Sequence, residues 1–180
     1  MNDITKSFIM ENLNLIDEAR WTELYANARA RFSVAMHMSE LTELLYECDC
    51  DMFSGEHKLT KIPTAFLFKT MRSEFRIPEH ITEIGFLSFF DSNISGVVNI
   101  PVSCEKICEQ AFSNCNEITE LIINNPDIDV HESAFTGCYI GFITYKGTVE
   151  QFQSHRWPDE FQDDTDIICT DGQFHVKPKN

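Results

Sequence analysis

An Ala-Phe or Ser-Phe pair recurs at 65–66, 88–89, 111–112 and 134–135, a step of 23 residues each time. Other columns keep the step. Phe75, Val98 and Leu121 form one, and Ile77, Ile100 and Ile123 another. Ile84, Ile107 and Val130 form a third, and Ser92, Cys115 and Cys138 a fourth. A unit this small cannot bury its own apolar side, so such units stack and share one continuous core. Phe75/Ile77, Val98/Ile100 and Leu121/Ile123 alternate inward with outward, the period of a short strand. Pro78 and Pro101 follow directly. Proline cannot donate to a ladder, so each strand is predicted to end there on a turn. In the third unit the proline moves to Pro126, behind Asn124 and Asn125, which predicts a longer corner. The recurring Phe is predicted to place one ring per unit in the core, with its small neighbour where the chain turns.

The units contain Ile-Thr-Glu-Ile-Gly at 81–85, Glu-Gln-Ala-Phe-Ser-Asn-Cys at 109–115 and Glu-Ser-Ala-Phe-Thr-Gly-Cys at 132–138, with Ile-Pro at 77–78 and 100–101. This pattern resembles the BspA-like leucine-rich repeat family over about residues 59 to 147. The resemblance implies a solenoid and a binding scaffold that serves many partners. Some positions depart from it. Cys108 and His131 stand where glycine is usual after the Ile84 column, and Ser92 stands for the first repeat Cys. The first unit, around Leu59 to Pro63, is incomplete, and the last, Ile140 to Tyr145, is one residue short. Atypical end units are expected of a capped solenoid.

The expected fold is α+β. It is a short leucine-rich-repeat solenoid of 23-residue repeats, with an N-terminal helical cap and a C-terminal cap of helix plus β-hairpin. The expected boundaries are 1–55, 56–147 and 148–180. Trp21, Leu24, Tyr25 and Ala28 share one helical face, and Ser39 can cap a helix through Leu41, Leu44 and Leu45. Gly55, within a polar stretch at 54–58, marks the join. Thr148 and Gln151 have capping-box spacing. Asp166 to Thr170 then reads as a strand, Asp171-Gly172 as a tight turn, and Gln173 to Val176 as the returning strand.

Charge narrows the function. Asp plus Glu number 29 against 14 Lys plus Arg, a formal charge of −15. Direct binding to a nucleic-acid backbone needs a basic surface, and an anionic membrane would repel this chain. The opening residues lack a basic segment followed by an apolar run, and nothing approaches the ~20 apolar residues that span a bilayer. The expected location is the cytoplasm of the producing or infected cell. In that compartment the seven cysteines are read as thiols.

Catalytic motifs are missing. There is no Gly-x-Ser-x-Gly elbow and no glycine-rich phosphate loop. Cys104, Cys108 and Cys115 lie close in sequence, but repeat geometry sends them to different sides of a coil. Cys48, Cys50 and His57 lack a paired Cys-x-x-Cys spacing. His155 beside Arg156 is a weak phosphate candidate. Asp163, Asp164 and Asp166 lack the glycine and distal glutamate of a helix-loop-helix calcium site. The expectation is no enzyme, no catalytic residues, no metal and no cofactor.

A stacked row of strands offers one extended face. If 75/77, 98/100 and 121/123 point inward, then Glu74, Arg76, Val97, Asn99, Glu120 and Ile122 point out. Val97 and Ile122 are apolar where the core does not need them, rimmed by Glu, Arg and Asn, which is the form of a protein-binding patch. The flanking column Glu83, Lys106 and Asp129 reads as a wet edge. The leading expectation is therefore an intracellular, non-enzymatic protein-binding module. Its small size and acidity suit a phage or mobile-element protein that binds and inhibits a host protein or complex, such as a defence system. The alternatives are an acidic nucleic-acid mimic that occupies a DNA- or RNA-binding groove, and a surface or virion structural, adhesin-like repeat protein. Oligomeric state stays open.

Overall fold

Pro101, directly after Ile100, divides its coil into a longer strand, Ser95–Ile100, and a two-residue strand, Lys106–Ile107, around a corner. The structure, a computed structural model, describes residues 59–162 and 164–177, with isolated helical positions at Ala19, Thr22, Glu23 and Ala26. Two-residue strands β1 (Lys61–Ile62) and β2 (Glu83–Ile84) are joined by β4 (Lys106–Ile107) and β6 (Asp129–Val130) in a parallel sheet of order β1-β2-β4-β6. Longer strands β3 (Ser95–Ile100), β5 (Glu117–Ile123) and β7 (Phe142–Tyr145) build the second sheet. β8 (Thr165–Ile168) and β9 (Gln173–Val176) complete it in the order β3-β5-β7-β8-β9, parallel except for the β8–β9 hairpin. Helix α1 (Val149–Ser154) and a 3-10 turn (Asp159–Gln162) lie between β7 and β8. The architecture is a repeat solenoid of about five turns, mostly strand with little helix.

Side chains in strands sort by parity. Val98, Ile100, Leu121, Ile123, Ile143, Tyr145 and Ile167 are buried. They meet Ile62, Ile84, Ile107 and Val130 of the smaller sheet inside one core. The recurring rings pile up as the repeat predicts. Phe89 stacks on Phe112 with centroids 4.8 Å apart, Phe112 on Phe135 at 5.0 Å, and Phe161 of the 3-10 turn closes on Phe135 at 5.0 Å. The small residues before them, Ala65, Ser88, Ala111 and Ala134, are fully buried. Ser88 sits in an alanine column because its hydroxyl donates to the Pro63 and Gly85 carbonyls.

The first coil corrects one expectation. Phe75, Arg76 and Ile77 keep the predicted burial alternation but form no strand. The Phe75 ring instead wedges between Phe66 and Phe89, at 5.4 and 5.5 Å. Backbone links to the next coil come earlier, from the Asn93 and Ser95 N–H groups to the Thr70 and Ser73 carbonyls.

The turn-rich arcs carrying the Phe residues are held by left-handed backbone at matched positions. Lys69, Asp91 and Asn114 have φ of 54°, 54° and 61°, and Gly137 has 80°. This conformation turns their N–H groups onto the neighbouring coil: Lys69 donates to Phe90 O, Asp91 to Ser113 O and Asn114 to Thr136 O. Asp, Asn and Gly tolerate it best. Lys69 is further held by an ion pair with Asp91 at 3.1 Å. At Gly137 a Cβ would also strike the Asn114 side chain. The same crowding explains Gly85. Ile62 pairs with Ile84, one residue short of the repeat step, and a Cβ on Gly85 would come 2.7 Å from the Ile62 carbonyl oxygen. Where the pairs Ile84–Ile107 and Ile107–Val130 keep the full step, Cys108 and His131 fit instead.

After the last coil, Thr148 caps α1 and Gln151 returns the bond, the box its spacing predicts. The hairpin also forms, but its turn differs from the usual Asp-Gly geometry: neither Asp171 nor Gly172 is left-handed. Asp171 instead accepts the Val149 N–H at 2.8 Å, which satisfies a free donor at the start of α1. The helices expected over 1–55, including the Trp21, Leu24, Tyr25 and Ala28 face and the Ser39 cap, lie outside the described residues apart from the four helical positions. So do Cys48, Cys50, His57, Gly55, Asp163 and Pro178.

Candidate protein-binding surface

The candidate chemical groups are occupied structurally. Cys115 and Cys138 are buried and donate to the Phe89 and Phe112 carbonyls at 2.9 and 3.0 Å. Ser92 continues that column, 3.4 Å from Cys115 Sγ. Cys104 donates to Lys106 O and Cys108 to Glu83 Oε1, so Cys104, Cys108 and Cys115 face different partners. Among the described residues no three His, Cys, Asp or Glu side chains could hold a metal ion, and no helix is long and apolar enough to cross a membrane. His155 donates to Gln151 O and stacks on Trp157 at 5.1 Å, while Arg156 pairs with Glu132. They are turned to separate tasks, which removes the phosphate candidate. Asp164 and Asp166 both face His175, at 3.4 and 3.0 Å, and Asp164 also accepts from Tyr139. His80 bonds Leu59 O at 3.0 Å.

Burial raises every described thiol, pushing Cys104 and Cys138 up to about 12 from an ordinary 9.0. Above pH ~9 the unfolded chain releases thiol protons that the folded chain keeps, so rising pH favours unfolding. This contribution to stability is complete below the ordinary thiol pKa and is lost as pH climbs toward the folded values. Urea midpoints should therefore fall between about pH 8 and about pH 10.5, and Cys138→Ser should lessen the drop. A midpoint that holds across this range would contradict the buried thiols.

The outer face of the larger sheet is where side chains remain unused by the core. Register places Val97, Glu120, Phe142, Asp166 and His175 in one row across the five strands. Asn99, Ile122, Thr144, Ile168 and Gln173 form the row beside it. Val97 is 55% exposed, Phe142 52% and Ile168 42%; Ile122 is half-buried between its neighbours. Of the six residues expected on this face, Val97, Asn99, Glu120 and Ile122 come together on β3 and β5. Asn99 accepts from the Asn124 side chain at 2.8 Å. Glu74 and Arg76 are exposed but stand outside the sheet, ahead of β3, where Arg76 pairs with Glu79 at 3.7 Å. The column Lys61, Glu83, Lys106 and Asp129 runs along the smaller sheet, with Lys61 and Glu83 paired at 3.2 Å.

Sequence reasoning missed the half of the face built from Phe142, Thr144, Asp166, Ile168, Gln173 and His175. The signal was the one-residue shortfall of the last unit. It sets Phe142, not Ile143, beside Glu120 and turns an apparent core residue outward. A β-bulge at Gly96/Val97 makes a matching adjustment between β3 and β5.

No curated protein and no solved structure matches the chain. A family model described as BspA type leucine rich repeat region matches residues 42–160 in six copies, wider at both ends than the stretch its motifs mark, and the chain belongs to that family.

Proposed function

We propose that this protein is a non-enzymatic module that binds another protein through the outer face of the five-stranded sheet. Leucine-rich repeats generally mediate protein–protein interaction, and this family is typically a non-enzymatic binding module. The observation that carries the reading is the run of Val97, Ile122, Phe142 and Ile168, four apolar side chains on a face with no role in the core. Clustered apolar exposure of this kind marks interaction surfaces more often than isolated exposed residues do. Glu74 and Arg76 stand at its rim. The narrower form of the proposal is an intracellular inhibitor of a host complex, supported by small size and an acidic surface.

The test uses the whole protein as bait against lysate of a candidate host, with the captured protein identified by mass spectrometry. Val97→Arg with Ile122→Arg should keep the melting midpoint and lower capture by at least about tenfold, since a buried arginine pair in an apolar contact is left without partners. Undiminished capture by the folded double variant would remove this face from the function.

A further inference from the structure

The same face has a charge pattern that points to the chemistry of its partner. The ten positions of its two rows hold two carboxylates, one histidine and no lysine or arginine. The two carboxylates flank an exposed ring: Glu120 pairs with Phe142 on one side and Asp166 on the other. Adjacent strands lie ~4.8 Å apart, so Glu120 and Asp166 are about two strand spacings from each other across that ring. Both are held in place. Thr144 Oγ1 donates to Glu120 Oε1 at 3.1 Å, and His175 Nδ1 donates to Asp166 Oδ1 at 3.0 Å. Beside them is a depression of about 360 Å³ walled by Phe142, Ile168 and the β8–β9 hairpin, with Asp166 and His175 at its rim. An aromatic floor between fixed carboxylates suits a cation on an aliphatic stem, whose methylenes lie on the ring while its head meets the acids. A second copy of this chain is a poor occupant, because it brings −15 and the same two acids to the contact.

Resting on the reading that this face is the binding surface, we propose that its partner presents a basic, apolar segment, with an arginine or lysine seated over Phe142 between Glu120 and Asp166. Neighbouring aliphatic side chains of the segment cover Ile122 and Ile168. The carboxylates set orientation and encounter rate, and the apolar rows supply most of the affinity.

The probe is a short peptide alternating arginine with leucine, and its counterpart has glutamate for arginine. Fluorescence anisotropy with the whole protein should show saturable binding of the basic peptide, at least about tenfold tighter than the acidic one. Glu120→Gln with Asp166→Asn should weaken it about tenfold and flatten its salt dependence. Glu105→Gln with Asp129→Asn removes the same charge away from this face and should leave it unchanged. Phe142→Ser with Ile168→Ser should weaken binding at low and high salt alike. Melting midpoints check each variant, and Glu120→Gln alone carries the test if Asp166→Asn disturbs the hairpin. Equal loss from both charge-removing pairs would reduce the effect to bulk charge and overturn the proposal. So would full binding by the Phe142/Ile168 variant, which would describe a purely ionic, nucleic-acid-like surface. If the basic peptide fails while Val97→Arg with Ile122→Arg still abolishes partner capture, the face stands and the partner chemistry is wrong. If capture also survives that double variant, the face itself is wrong.

Discussion

Phe112→Ala should destabilise the protein by about 3–5 kcal/mol. The ring is almost wholly buried and lies between two others, Phe89 at 17° and Phe135 at 6°. Truncation removes its transfer free energy and leaves a cavity that a stacked backbone cannot close, because each coil is bonded to the next through Phe89 N–H to Ala111 O and Phe112 N–H to Ala134 O. Each lost aromatic pair adds about 0.5–1.5 kcal/mol beyond the area term. Urea denaturation should show the midpoint falling with little change in slope. The Phe89→Ala, Phe112→Ala double variant should cost less than the sum of the two, since the singles share one contact. A cost under about 1 kcal/mol for Phe112→Ala would mean that the rings do not stack in solution.

Tyr145→Ala should cost a similar ~3–5 kcal/mol, for a different reason. Tyr145 joins the last coil to α1 and the loop behind it. Its ring meets Phe152 at 5.3 Å and Trp157 at 5.6 Å, and its hydroxyl donates to Pro126 O at 2.6 Å across the long corner. Gly147 lies so close that a Cβ there would strike the ring. Tyr145→Phe separates the two contributions. It keeps the ring and deprives the Pro126 carbonyl, so it should cost only about 0.5–1.5 kcal/mol. Near-equal losses for the two variants would place the stabilisation in the hydroxyl and not in the aromatic cluster.

The core was legible in the sequence because a repeat states its register many times. Phe89, Phe112 and Phe135 announce one another, and so do Ile84, Ile107 and Val130. The outer face was legible only where the step stayed at 23. Val97, Asn99, Glu120 and Ile122 follow the regular units. Phe142 follows a shortened unit, so column counting points it the wrong way, and Ile168 lies on a strand with no repeat signature to extend the count to it. The first coil failed for a related reason. Phe75 has the spacing of a strand residue, but its ring is large enough to enter the stack, and packing overrode the pattern. The separate ladder of Lys61–Ile62, Glu83–Ile84, Lys106–Ile107 and Asp129–Val130 was visible as an apolar column, yet two-residue strands leave too little alternation to be recognised as such.

Because both sheets grow by parallel addition of one coil to the last, no strand pairing among the described residues spans the molecule to fix the number of coils. A whole unit could be duplicated or deleted between the second and third coils, and every remaining ring, thiol and left-handed turn would find an equivalent neighbour. Each such change would widen or narrow the outer surface by ~4.8 Å, one strand spacing. Reach toward a partner is thus a quantity that this architecture can alter in discrete steps without redesigning its interior.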